Sequence, residues 1–230
     1  MIGSWVNSNS VPMAAAMSAS NLDFLVLDVE HSPCSISDVF AMLQAAWHTE
    51  NYVRVCGTDY SQISRYLDAG AVGIIAPLVN SREQAQALVQ ACYYPPLGRR
   101  GLGFCAANDW GRNIEGSTDN YCNKVFVQIE HVDALEHLDD ILSVEGIDGA
   151  WIGPWDLSAS MGCPGEFDDI KFCQALERIE RACDGAGVAC CYHLTKPDKA
   201  MLEVCIHAYD HVAYSLDITM VTEAINHIYS

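Results

Sequence analysis

Positive charge is what this chain lacks most. Its 230 residues include 12 Lys and Arg against 30 Asp and Glu, a formal net charge of −18. Binding to phosphate backbones needs a basic patch or stripe, so nucleic acid is not expected as a partner. The same shortage argues against anionic membrane surfaces. Only four residues are lysines, Lys124, Lys171, Lys196 and Lys199. A Schiff-base enzyme needs a desolvated lysine in its site. Lys124 precedes a strand, Lys171 falls on a helix, and Lys196 opens one at the surface, so that chemistry is disfavoured.

Other absences narrow the field further. No Cys-x-x-Cys pair occurs, which removes the usual structural zinc site. No apolar run approaches the roughly 18 residues of a spanning helix, and no secretory signal is visible. The 11 cysteines are odd in number and include the adjacent pair Cys190-Cys191. They read as reduced, small apolar core residues of a cytoplasmic protein rather than a disulfide framework. The segment Ser8-Asn9-Ser10-Val11-Pro12 after the first strand is not a Gly-rich phosphate turn, which counts against an open doubly wound sheet.

What the chain does have is alternation of short apolar runs with amphipathic, Ala-rich segments. Half of its residues are hydrophobic, enough for a sizeable core. Strands are predicted over residues 2–7, 23–31, 51–57, 72–79, 125–131, 148–154, 188–194 and 211–217. Helices are predicted over 11–20, 35–48, 61–69, 81–93, 132–144, 167–186, 196–209 and 218–229. Runs such as Gly73-Ile74-Ile75-Ala76 are apolar without alternation, as in a sheet covered by helices. Eight βα units in this length predict one α/β domain over residues 1–230, a TIM (β/α)8 barrel. The longest irregular stretch, 95–124, carries a further short helix expected near 117–123.

Such barrels build their sites at the carboxyl ends of the strands, and here those ends are polar. Strand two ends in Asp28-Val29-Glu30-His31, strand three carries Arg54, strand five ends in Gln128-Ile129-Glu130, and Asp156 follows strand six. Strand four ends at Pro77 among apolar residues. Two carboxylates on neighbouring strand ends, Glu130 and Asp156, suit a hard divalent cation with coordination positions left for water and substrate. A 2-oxo acid would chelate that cation. Arg54 would face the oxygens on which enolate charge develops, and His31 would move the proton. Asp68 is a candidate to orient the imidazole.

Structural readings stand beside these. Asp156 is also the right residue to cap a short helix at 157–161. Arg54 has potential partners in Asp28 and Glu30, and Asp68, just before Gly70, suits a helix end. His48, His131, His137, His193, His207, His211 and His227 read as surface or packing residues, with His131 noted for following Glu130.

Taken together, several segments resemble one family. They are Asp28-Val29-Glu30-His31, Val53-Arg54-Val55, Leu67-Asp68-Ala69-Gly70-Ala71, Tyr94-Pro95-Pro96-Leu97-Gly98-Arg99-Arg100-Gly101, Val127-Gln128-Ile129-Glu130 and Ile152-Gly153-Pro154-Trp155-Asp156-Leu157-Ser158. Their order is similar to that in the HpcH/HpaI aldolases, the metal-dependent class II pyruvate aldolases. The resemblance implies a barrel of the phosphoenolpyruvate/pyruvate type. It implies cleavage of a 4-hydroxy-2-oxo acid into pyruvate and an aldehyde, through a pyruvate enolate held on Mg²⁺, Mn²⁺ or Co²⁺. By resemblance Glu130 and Asp156 are metal ligands, and Arg54 binds pyruvate. His31, supported by Asp68, is the acid/base. Gln128 meets the 2-oxo end, backbone amides near Gly153 and Trp155 meet the carboxylate, and Asp28 and Glu30 stand behind them. A homo-oligomer is implied, often a hexamer with the last helix on a neighbouring subunit. The chain departs from the pattern at His131, at Trp155, where a small residue is common, and over 104–116. These departures bear on the aldehyde. The remaining alternatives are oxaloacetate decarboxylation or another 2-oxo-acid lyase reaction, and a non-catalytic metabolite-binding barrel.

Overall fold

Eight parallel strands follow one another round a closed barrel in chain order. The computed structural model describes residues 1–116 and 123–229, so the short helix expected near 117–123 lies outside the described residues save for Asn123. The strands are β1 (Ile2–Val6), β2 (Phe24–Asp28), β3 (Glu50–Arg54), β4 (Gly73–Ala76), β5 (Lys124–Ile129), β6 (Gly149–Ile152), β7 (Ala189–Leu194) and β8 (His211–Leu216). All eight coincide with predicted strands, each within a few residues at its ends. The helices are α1 (Val11–Ser18), α2 (Ile36–Ala45), α3 (Tyr60–Asp68), α4 (Arg82–Cys92), α5 (Val132–Glu136), α6 (Leu138–Leu142), α7 (Pro154–Ser160), α8 (Ile170–Ala186), α9 (Lys199–Ala208) and α10 (Asp217–Asn226).

Local chemistry explains where the helices start and stop. Side chains of Ser10, Ser35, Asp59, Ser81, Asp169 and Asp198 accept from backbone N–H groups of the first turns they precede. Ser35 and Asp38 form a reciprocal capping box. Helix α8 ends at Gly187 in the left-handed region, φ 69°. The helix expected over 132–144 divides at His137, whose φ of −120° and ψ of 16° leave the helical region. The irregular stretch after α4 holds consecutive turns over Ala106–Gly111, kinked where Asp109 and Trp110 enter the left-handed region at φ 52° and 57°.

Two apolar layers follow from the two faces of each strand. Leu25, Leu27, Val53, Ile74, Val125, Val127, Ala150 and Ile152 face outward into the helix layer. Trp5, Phe24, Val26, Tyr52, Ile75, Phe126, Trp151, Cys191 and Ala213 fill the barrel. The filling is largely aromatic, with Phe24, Phe126 and Trp151 meeting edge to face at 5.8–6.2 Å. Continuing the inward series by twos, Phe24-Val26 leads to Asp28, Tyr52 leads to Arg54, and Phe126 leads to Gln128 and Glu130. The alternation that packs the lower barrel therefore delivers polar groups to its mouth. No helix among the described residues is long and apolar enough to cross a membrane.

Candidate active site

Asp28 and Arg54 stand opposite each other in the β2–β3 register. Arg54 donates from Nε to Asp28 Oδ1 at 2.9 Å and from Nη2 to Oδ2 at 2.7 Å, a bidentate fork. Both are buried. Burial alone would raise the Asp28 pKa, but the hydrogen bonds and charge of Arg54 outweigh it and hold the carboxyl below its usual range. Burial likewise opposes the Arg54 charge, and Asp28 overcomes it. Asp28 also accepts from Asn7 Nδ2 at 2.6 Å and from the amides of Glu30 and His31 at 3.1 and 3.4 Å. The turn carrying Glu30 and His31 is thus hung on the same carboxylate.

Arg54 reaches beyond that fork. Its Nη1 lies 3.4 Å from Glu30 Oε2. Its guanidinium carbon sits 4.4 Å from the centroid of the Trp5 ring. His193 is stacked on Trp5 at 4.8 Å and 24°, and its Nε2 is 3.3 Å from the Ser215 carbonyl. Burial, then the Arg54 charge, push the His193 pKa down to about 3. His193, Trp5 and Asn7 were not among the candidates from sequence. Asn7 carried a signal, being the polar residue at the end of an apolar strand. The stack carried none, because it joins β1 to β7 across the barrel.

Across the mouth, the buried Glu130 carboxylate accepts from the Leu78 amide at 2.8 Å through Oε1 and from Gln128 Nε2 through Oε2. Strand four has no side chain for chemistry, yet Leu78, with a φ of 53°, contributes its backbone. Burial raises the Glu130 pKa to about 7. Leu78 offsets part of the rise, and the charges of Asp156 and Glu30 add to it. Burial is also the main reason Glu30 is raised, with Asp156 adding to it. Glu130, Asp156 and Glu30 therefore share one electrostatic environment. Gln128 Oε1 is buried and has no hydrogen-bond partner.

Asp156 lies in the first turn of α7, whose cap is Gly153, so it does not cap a helix at 157–161. A Cβ on Gly153 would come within 2.8 Å of Glu130 Oε2, so glycine makes room for that carboxylate. The Gly153 amide itself is used by the Ile129 carbonyl at 3.2 Å. Only the later N–H groups of this first turn, Trp155 and Asp156, lack an intrahelical acceptor. His31 is exposed, with Nε2 3.8 Å from Glu30 Oε2. Asp68 does not support it within the chain. It ends α3, which runs back toward the opposite end of the barrel, and pairs there with Arg100 at 2.6 Å. Glu30 is the carboxylate beside His31.

The match between residues and motifs extends to the whole molecule. A family model described as HpcH/HpaI aldolase/citrate lyase matches residues 1–224. The chain belongs to this family. The 2-keto-3-deoxy-L-rhamnonate aldolase of Klebsiella pneumoniae subsp. pneumoniae is 36% identical over 233 residues, covering 98% of this chain and 86% of the relative. A HpcH/HpaI family protein from Burkholderia cenocepacia superposes with a TM-score of 0.93 at 27% identity, over 100% of this chain and 93% of that one. The HpcH/HpaI aldolase from Desulfitobacterium hafniense gives 0.88 at 28% identity, over 99% and 92%. This chain is accordingly an enzyme of the aldolase type within the lyases.

The family depends on a divalent metal, and the donor set here fits one. No three His, Cys, Asp or Glu side chains converge as a ligand cluster among the described residues. Glu130 and Asp156, which interact electrostatically, offer oxygen donors only, the chemistry that a hard cation takes. The raised Glu130 pKa comes first from burial, with the charges of Asp156 and Glu30 adding to it.

The His193 shift makes a stability prediction. Its folded pKa of about 3 lies below the ordinary 6.5, so between these values the unfolded chain binds more protons. Stability should therefore be full above pH 6.5 and fall toward pH 3, by up to about 1.4 kcal/mol per pH unit. Denaturant unfolding of His193→Phe at several pH values should show a shallower acid decline. An unchanged decline would mean that His193 is not held neutral.

Proposed function

We propose that this barrel cleaves a 4-hydroxy-2-oxo acid into pyruvate and an aldehyde. The observation that carries the reading is the convergence at one mouth of an Arg54 fork locked by Asp28 with the carboxylates of Glu130 and Asp156. In this reading Glu130 and Asp156 hold Mg²⁺, Mn²⁺ or Co²⁺. Such a cation supplies Lewis-acid polarisation of the 2-oxo group.

The chain's own residues do the rest. His31 takes the proton from the 4-hydroxyl group. The bond between the third and fourth carbons then breaks, releasing the aldehyde, and its electron pair passes toward the 2-oxo oxygen. Arg54 holds the charge that builds there, because Asp28 has already fixed the guanidinium plane and no reorganisation is needed. His31 returns the proton to the third carbon, giving pyruvate. Gln128 accepts from a substrate hydroxyl through its unpartnered Oε1, and the Trp155 and Asp156 amides face the carboxylate. Glu30, next to both His31 and Arg54, keeps the imidazole oriented.

The wider setting belongs to the same proposal. One barrel domain spans residues 1–230. The ten described cysteines are free thiols, in keeping with a cytoplasmic location. A homo-oligomer is supported by Ile218, Val221 and Ile225, which lie exposed along α10, and by Ile228 just after it.

The decisive experiment follows exchange of the pyruvate methyl protons with deuterated solvent. Wild-type enzyme should exchange them with a divalent metal and stop when EDTA is added. Absence of exchange with every metal would favour a binding module, and a panel of aldehydes and oxaloacetate then separates aldolase from decarboxylase. Glu130→Gln should bind metal more weakly and lose exchange; wild-type rates at limiting metal would remove Glu130 from the ligand set. Arg54→Lys keeps the charge but loses the fork, and kcat should drop by roughly 10²–10³. Near-normal kinetics would make Arg54 structural. Sedimentation should give a mass that is a multiple of 25.2 kDa, and a monomer at micromolar concentration would overturn the oligomer.

A further inference from the structure

Trp155 is a large, half-exposed side chain immediately before Asp156, in the first turn of α7. It is anchored on three sides. Its Nε1 donates to Thr195 Oγ1 at 2.9 Å, tying the end of β6 to the end of β7. Its ring meets Phe167 edge-on at 5.3 Å and 81°. Gly165, at φ +77°, supplies the third side, since a Cβ there would come within 2.8 Å of the indole. Three independent anchors on one exposed ring hold it as a fixed wall.

Beside that wall lies a largely apolar groove of about 330 Å³ between β7, α8 and α9, with Asp168, Lys196 and Asp198 at its edge. Its lining includes Phe172, Leu176, Tyr192 and Met201, and it also includes Phe167 and Thr195, the two residues that grip the indole. A dry apolar cavity of roughly 150 Å³ is enough for a benzene ring. The space is therefore large enough for an aromatic or long alkyl group, and through Phe167 and Thr195 it adjoins the indole that precedes Asp156.

We propose that Trp155 is a specificity-determining partition: it closes this cavity to the substrate and restricts the aldehyde half to a short, polar one. The inference rests on the aldolase reading and deepens it. In the synthetic direction the pyruvate methyl carbon loses a proton and joins the aldehyde carbon, whose oxygen gains one. The substituent on that aldehyde carbon must then lie beside the wall. A short hydroxylated aldehyde such as glycolaldehyde fits in front of it, whereas the ring of benzaldehyde needs the cavity.

The test compares kcat/KM for glycolaldehyde and benzaldehyde, with pyruvate and Mn²⁺, in wild type and in Trp155→Ala. Wild type should favour glycolaldehyde. Trp155→Ala should move the ratio toward benzaldehyde by about tenfold or more, the scale on which an apolar pocket discriminates. Trp155→Phe, which keeps a ring in place, should stay near the wild-type ratio. Refilling the cavity with Leu176→Phe in the Trp155→Ala background should restore the preference for glycolaldehyde. An unchanged ratio in Trp155→Ala overturns the partition, as does a relaxed ratio that Leu176→Phe fails to reverse. Should Trp155→Ala not fold, Trp155→Leu is read by the same ratio. Wild-type enzyme that exchanges no pyruvate methyl protons and joins no aldehyde would instead sink the aldolase reading itself.

Discussion

The bidentate ion pair between Asp28 and Arg54 is the contact on which the mouth of this barrel is organised. Both groups are buried, so neither could stay charged there without the other. Such a pair adds little net stability, because desolvation consumes most of the attraction. What it adds is direction. One carboxylate receives the Arg54 fork, Asn7 from the end of β1, and the amides of Glu30 and His31. The proposed proton carrier and the proposed charge-stabilising cation are therefore set by a single group. The Trp5–His193 stack beneath Arg54 supports the guanidinium from below without adding a competing charge, because His193 is kept neutral.

The second constraint is charge balance. Asp28, Glu30 and Glu130 gather around Arg54, and Asp156 adds its charge beside Glu30 and Glu130, so negative charge exceeds positive charge in a poorly solvated space. The protein resolves this in part by raising the pKa values of Glu130 and Glu30. In the proposed reading, a divalent cation held by Glu130 and Asp156 would offset more of it. The overall acidity of the chain is a separate matter of solvated surface and has no bearing on the fold.

Much of the mouth was legible because barrel topology converts position along a strand into position in space. Asp28, Arg54, Gln128 and Glu130 all stand at strand ends, and parallel pairing in chain order brings those ends together. Features that depend on contacts around the ring were not legible. The Leu78 amide reaches Glu130 through a backbone conformation that an apolar segment does not announce. Of the backbone amides near Gly153 and Trp155 expected to face a carboxylate, that of Gly153 is taken by the Ile129 carbonyl. Asp68 was expected beside His31; within this chain a helix that returns along the barrel carries it to the far end, where it pairs with Arg100. The break at His137 divides one amphipathic pattern into two helices without altering its periodicity.

By itself, the sequence determined the eightfold alternation of strand and helix, the family, and the set of acidic and basic groups available at the strand ends. These follow from hydrophobic period, cap residues and local motif, all encoded within a few residues of one another. Only the tertiary structure decided which group pairs with which. It chose Asp28 rather than Glu30 for the Arg54 fork, raised Glu130 through burial and neighbouring carboxylates, and anchored the Trp155 indole on Phe167 and Thr195, which also line an apolar groove. Those outcomes depend on desolvation and on distances between residues far apart in the chain, quantities that exist only once the barrel has closed.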